Sequence, residues 1–429
     1  MRSFAASVAI SVLIAVTAVA TQSAEAQTFT VIHNFTGQHD GANPVAGLTI
    51  GGSGTLYGTT SQGGLGGGVV FKMTRSAGGW VLNPIYEFAR ENDGSEPLAG
   101  VAIGLNGTLY GTTYDGGAAG YGTVFEVAPP PRICSRVLCY WNETVLYDFM
   151  GGSDGSGPAF GNLAFDQAGN IFGTTQYGGG TGCSGQGCGV AFELAPSPGG
   201  QWTESILHSF GSGNDGQYPL GGVIFNTAGN LYGTTSQGGS DVGGTVFELI
   251  PSNGTWSENI LFDFETGNGC DDNTGCAPAG TLIMDQFGSL YGTAQGGSGT
   301  AFQLTPSNGN WDFSMLSFFC CQPVAGLTMD AAGNLFGTTI SGGAYGYGML
   351  FKLTNSGGVW TLTDLHDFTD GYSDGGAPYG AVVFDASGNL YGTAYEGGAY
   401  GYGVVFGRCC LKQAWSITAR DTHSFEPRE

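Results

Sequence analysis

One short motif repeatedly sets a carboxylate beside a turn. Asp-Gly-x-x-Pro occurs at residues 40–44, 93–97, 154–158, 215–219 and 374–378. An Asx turn followed by a left-handed glycine and a proline explains this pattern by backbone chemistry alone. A partial ring of carboxylates, from Asp40, Asp93, Asp154, Asp215 and Asp374, could instead hold Ca²⁺ or a polar ligand. A further unit carries Asp271-Asp272 in an enlarged, cysteine-bracketed version, and another has Cys-Cys-Gln-Pro in its place. Glycine-rich segments nearby bear Tyr114, Tyr177, Tyr345, Tyr395 and Tyr400. Tyrosine beside Asp and Asn on a rigid scaffold is what a carbohydrate- or protein-binding surface uses.

Other reactive residue types recur too regularly to form one catalytic centre. His33, His208, His366 and His423 each stand two residues before a phenylalanine, where other repeats place Tyr86, Tyr147 or Phe262. Side chains on the outer strands of separate repeats are not expected to converge on one metal, so a zinc or catalytic histidine is not anticipated. His39 stands apart from this series, with no evident partner. The seven tryptophans also share one repeat position, which suits packing better than a row of sugar platforms. There is no P-loop, dinucleotide fingerprint, His-Glu-x-x-His or Gly-x-Ser-x-Gly elbow.

The elements that carry these residues follow from the repeat. The aromatic of a Leu-Tyr-Gly step recurs at Tyr57, Tyr110, Phe172, Tyr232, Tyr291, Phe336 and Tyr391. A Gly-x-x-Phe step follows each time, ending at Phe71, Phe125, Phe192, Phe247, Phe302, Phe351 and Phe406. Each unit holds four short apolar runs separated by Gly, Asn, Asp and Pro, with no helical periodicity. Four strands per unit and seven units predict an all-β, seven-bladed β-propeller, since a β-helix coil is far shorter than this period. Asp-x-x-Gly-Asn at residues 166–170, 330–334 and 385–389 reads as a hairpin turn. Residues 28–35 match the outermost strand of other units but precede the first complete repeat, so they are expected to complete the last blade. Trp415 with residues 423–425 offers a second, poorer candidate for the same place.

Where Leu-Tyr-Gly-Thr-Thr, the Gly-Gly loop and Gly-x-Val-Phe recur together, over about residues 28–410, the chain resembles the GloVer-type tandem-repeat proteins, a family of bacterial secreted or surface chains. The resemblance implies the repeat architecture and no specific chemistry. Such proteins commonly end in an anchoring segment, whereas residues 411–429 show none.

Composition bounds the rest. Residues 1–26 read as a signal peptide: one basic residue, an apolar run, then Ala24-Glu25-Ala26. The expected organisation is therefore a leader, a seven-repeat propeller over residues 27–410 and a degenerate tail over 411–429, with a secreted, extracellular or cell-surface location and the periplasm as an alternative. The net charge of −23 argues against nucleic acid and anionic membranes, and no later run is long enough to span a bilayer. In an oxidising compartment Cys134–Cys139, Cys183–Cys188 and Cys270–Cys276 are expected to close short loops, while the pairing of Cys320, Cys321, Cys409 and Cys410 stays open. The leading expectation is a monomeric, non-catalytic module that binds a glycan or protein, with no cofactor unless Ca²⁺. The alternatives are a polysaccharide-active hydrolase or lyase, which would need carboxylates unique to one repeat such as Glu96, Glu396 or Asp271-Asp272, and a structural envelope component.

Overall fold

The computed structural model describes residues 28–131, 141–158, 160–211, 213–266, 270 and 274–409. It is a seven-bladed β-propeller. Blade 1 consists of Thr49–Ile50, Leu56–Thr60, Val69–Ser76 and Gly79–Glu87, hydrogen-bonded antiparallel in that order from the axis outward. The same four-strand order recurs in blades 2 to 6, which end on the outer strands Asn142–Asp148, Trp202–Ser209, Thr255–Glu265, Asn310–Phe318 and Val359–Asp367. Blade 7 joins Val383–Phe384, Leu390–Ala394 and Val404–Cys409 to the N-terminal strand Thr28–Asn34. That strand pairs antiparallel with Val404–Cys409, which closes the ring as the sequence implied. Helix among the described residues is limited to three single 3₁₀ turns.

The two most regular motifs turn out to be one contact. In every blade the glycine of Leu-Tyr-Gly lies directly opposite the phenylalanine of Gly-x-x-Phe on the next strand, as at Gly58 and Phe71 or Gly233 and Phe247. The ring lies over the bare glycine: a Cβ on Gly233 would stand 2.4 Å from Phe247 Cζ. No other residue leaves room for the ring there, which is why the step is invariant around the chain. Asp166, Asp330 and Asp385 each accept backbone N–H bonds from two and four residues ahead, so Asp-x-x-Gly-Asn is a turn as read.

The core lies in the seams between blades. The buried phenylalanine that closes each outer strand packs edge-on or tilted against the Gly-x-x-Phe ring of the next blade, from Phe35 on Phe71 round to Phe368 on Phe406. Tryptophans pack backwards onto the preceding blade: Trp80 on Tyr391, Trp141 on Tyr57, Trp256 on Phe172, Trp311 on Tyr232 and Trp360 on Tyr291. Nearer the axis, the first Thr of Leu-Tyr-Gly-Thr-Thr donates to a carbonyl of the next blade, for example Thr338 Oγ1 to Gly380 O at 3.1 Å and Thr393 Oγ1 to Ala46 O at 2.7 Å. Every seam carries the apolar contact outside, and six of the seven carry the hydrogen bond inside, the exception being Thr112, whose buried Oγ1 has no partner among the described residues.

Cys183–Cys188 and Cys270–Cys276 are disulfides, each with a Cα–Cα separation of 5.3 Å. Cys320 is an exposed free thiol and Cys321 a buried one, so the adjacent pair is not bonded to itself. Cys134, Cys139, Cys410, Asp271, Asp272, the leader and the tail with Trp415 and His423 lie outside the described residues. No helix among the described residues is long and apolar enough to cross a membrane.

Candidate functional site

One face of the propeller gathers the polar motifs. The connection entering a blade bridges to that blade's loop between its second and third strands, at Ala42 and Gln62, Ser95 and Asp115, Ser156 and Tyr177, and Gly375 and Gly397. The Asp-Gly-x-x-Pro turns and the glycine-rich tyrosine loops therefore share this face.

The carboxylates there are held by their own turns. Asp93 accepts from Ala89 N at 2.8 Å and Glu91 N at 3.2 Å, and Asp154 from Met150 N at 2.7 Å and Gly152 N at 3.2 Å. Asp40 accepts from Thr36 N, while Asp374 accepts from Thr369 N and Gly375 N. Each also binds the side chain that stands two residues before the closing phenylalanine. His33 contacts Asp40 at 3.1 Å, Tyr86 donates to Asp93 at 3.0 Å, Tyr147 to Asp154 at 3.2 Å, and His366 contacts Asp374 at 3.0 Å. The histidine and tyrosine series and the aspartate motif are thus two halves of one interaction. In every outer strand the register slips just before that side chain, leaving Ile85, Leu146, Leu207 and their equivalents unpaired. Such a bulge re-aims the residue that follows it. Among the described residues the five aspartates do not come together as a shared ligand set.

A second side chain reaches this contact from the neighbouring blade, at the position two residues after the tryptophan. Tyr86 faces Glu143, Tyr147 faces Glu204 and donates to its Oε2 at 2.8 Å, and His208 faces Glu258 at 3.6 Å. Around the ring the pair changes character: Phe262 stacks on Phe313 at 4.3 Å and His366 on Phe29 at 3.6 Å. Side chains from neighbouring outer strands therefore meet in pairs, a contact not anticipated from the sequence. Adjacent sheets pack face to face about 10 Å apart, close enough for facing side chains to touch. The sequence signal was available as Trp-x-Glu in three successive repeats. Burial pushes the Glu143, Glu204 and Glu258 carboxyls up to about 7, and the Oε1 of each is buried without a partner.

The tyrosines separate into two sets. Tyr345 and Tyr400 are 63% and 61% exposed at loop tips. Tyr121, Tyr347 and Tyr402, 41–47% exposed, accompany them. Tyr114, Tyr177 and Tyr395 are packed: Tyr114 donates to Gln176 at 3.3 Å, Tyr177 lies edge-on to Tyr218 at 5.6 Å and Tyr395 to Tyr379 at 5.5 Å. Burial, then the neighbouring Tyr177, raises the Tyr114 phenol to about 12. Tyr114, Tyr121 and Tyr177 line a cavity of 430 Å³ between blades 2 and 3. The central cavity, of 180 Å³, is lined mainly by Val, Ala, Gly and Leu, with Asn162, Thr281, Thr328 and Tyr379 as its polar side chains. Glu96 pairs with Arg90 at 3.5 Å, and burial together with the charge of Asp370 raises Glu396.

A family model described as a Gloeobacter/Verrucomicrobia repeat matches residues 18–184, 138–319 and 297–426. No curated protein matches the chain. Among solved structures, a candidate 6-phosphogluconolactonase from Bacteroides uniformis is similar at 13% identity and a TM-score of 0.47, over 82% of this chain and 89% of that one.

Proposed function

The chain belongs to the Gloeobacter/Verrucomicrobia repeat family, and we propose that it is a non-catalytic, secreted propeller whose tyrosine-bearing face binds a glycan or a partner protein. The observation that carries this reading is the concentration of exposed Tyr121, Tyr345, Tyr347, Tyr400 and Tyr402 on one face of a rigid ring. Tyrosine offers a flat apolar surface and a hydroxyl at small entropic cost, which suits sugar rings and protein epitopes alike. Glycines hold some of these rings in place: a Cβ on Gly37 would come within 2.7 Å of Tyr402, and one on Gly151 within 2.6 Å of Tyr121. The Asp-Gly-x-x-Pro turns serve here as the frame, their carboxylates tying each connection to its blade. The loop disulfides and the apolar leader of residues 1–26 support secretion.

A glycan array, run with and without Ca²⁺ on the protein lacking residues 1–26, tests the reading. Retention of a defined glycan class that is lost in a Tyr345→Ala/Tyr400→Ala variant of unchanged melting temperature is the expected result. Binding that survives that variant and a Tyr121→Ala/Tyr402→Ala variant would remove the face from consideration.

A further inference from the structure

Of the three seams that carry a glutamate, only the one between blades 3 and 4 sets an imidazole, rather than a phenol, against it. His208 Nε2 lies 3.3 Å from both Oδ1 and Oδ2 of Asp215 and 3.6 Å from Glu258 Oε2, with all three donors mutually within 4.8 Å. Among the described residues this is the one group of three such ligand atoms. We propose that His208, Asp215 and Glu258 form a binding site for a first-row divalent transition metal, with Zn²⁺ as its natural probe.

The spacing carries the inference. Donors sharing one tetrahedral Zn²⁺ at about 2.0–2.2 Å stand roughly 3.3–3.5 Å from one another. A charge-assisted N–H···O bond is shorter, about 2.7–2.9 Å. His33 stands 3.1 Å from Asp40, and His366, which stacks on Phe29 instead of meeting a glutamate, stands 3.0 and 3.2 Å from the two oxygens of Asp374. His208 Nε2 stands equally, at 3.3 Å, from both oxygens of Asp215 and 3.6 Å from Glu258 Oε2, separations that ligands around one ion also have. Glu258 supplies a buried oxygen, Oε1, with no partner. Gly216 N donates to Asp215 Oδ1 at 2.7 Å, and Phe210 lies edge-on to the imidazole at 4.8 Å; both fix the orientation of a ligand, as outer groups do in metal sites. The side chains of His208 and Asp215 keep 22% exposure, so an ion can enter and water can complete its coordination. One imidazole and two carboxylates suit Zn²⁺ or Mn²⁺, whereas Ca²⁺ asks for six to eight oxygens.

The chain supplies its own control. Tyrosine stands opposite Glu143 and Glu204 at the two preceding seams, so His208→Tyr is expected to fold with native packing while losing the nitrogen ligand. Calorimetric titration of the wild type with Zn²⁺ after EDTA treatment should give one ion per chain and a raised melting temperature. His208→Tyr should show neither, with its melting temperature in EDTA retained, and Ca²⁺ should not substitute. Titration with Co²⁺ gives a readout independent of any variant, because a nitrogen- and oxygen-ligated tetrahedral site develops visible d–d bands. Should His208→Tyr fail to fold, Glu258→Gln takes its place. No Zn²⁺ uptake by the wild type at micromolar concentration, or undiminished uptake by the variant, would overturn the assignment.

Discussion

Tyr147 donates its phenolic O–H to Glu204 Oε2 across the seam between blades 2 and 3, at 2.8 Å, while also reaching Asp154 at 3.2 Å. A neutral donor thus sits between two carboxyls, one of them in a half-buried interface. Burial holds Glu204 up to about 7 against an ordinary 4.5, with the Tyr147 bond pulling the other way. At Glu143 burial comes first and the charge of Asp93 second. Between about 4.5 and 7 the folded chain therefore binds more protons than the unfolded one, and its stability should fall as pH rises through that window and then level off. Melting curves from pH 4.5 to 8 in EDTA measure this directly. A Glu143→Gln/Glu204→Gln variant should have a visibly shallower slope, and an unchanged slope would count against seam carboxyls as the cause.

Asp154 uses both oxygens, Oδ2 for Tyr147 and Met150 N, and Oδ1 for Gly152 N. Asparagine keeps one acceptor and turns an amide toward the donors of the other. Asp154→Asn should therefore cost about 1–2 kcal/mol in urea unfolding, the usual effect of stranding hydrogen-bonded groups. Equal loss in EDTA and in Ca²⁺ assigns the carboxylate to its turn, whereas a loss seen only with Ca²⁺ assigns it to an ion.

Trp256 packs on Phe172 of the preceding blade, at a centroid distance of 6.4 Å. Truncating it to alanine opens the outer part of a seam, and about 3 kcal/mol is expected, the lower end of the range for a large aromatic because the indole is only partly buried. Denaturant unfolding gives the number. A variant of wild-type stability that no longer bound its ligand would show the indole to be a contact surface instead.

How far the sequence could be read depended on how often it repeats itself. Gly233 and Phe247 belong to motifs present in all seven units, so blade, strand order and closure by residues 28–35 were all legible. The seam pairs were not, because the position that carries Glu143, Glu204 and Glu258 carries Leu82, Phe313, Leu362 and Phe29 elsewhere. Hydrophobic periodicity sees only which face a residue takes. It does not say that His208 of one sheet looks at Glu258 of the next, since that follows from the angle between blades. Likewise, Asp374 and His366 are eight residues apart and looked like two separate motifs until the bulge at Leu365 turned one toward the other.

The pairing of Thr28–Asn34 with Val404–Cys409 sets the order of events in the protein's own making. Synthesis makes residues 28–34 before the six blades that follow and makes their partner, Val404–Cys409, after them. Six blades can hairpin locally, each from contiguous chain, but the seventh waits for the two distant segments to find each other, a contact of the highest sequence separation and the slowest kind to form. Until then the newborn protein carries an orphan strand at one end and an open sheet edge at the other. A vacant edge of that kind can accept the equivalent strand of a second copy, the exchange by which domain-swapped pairs form.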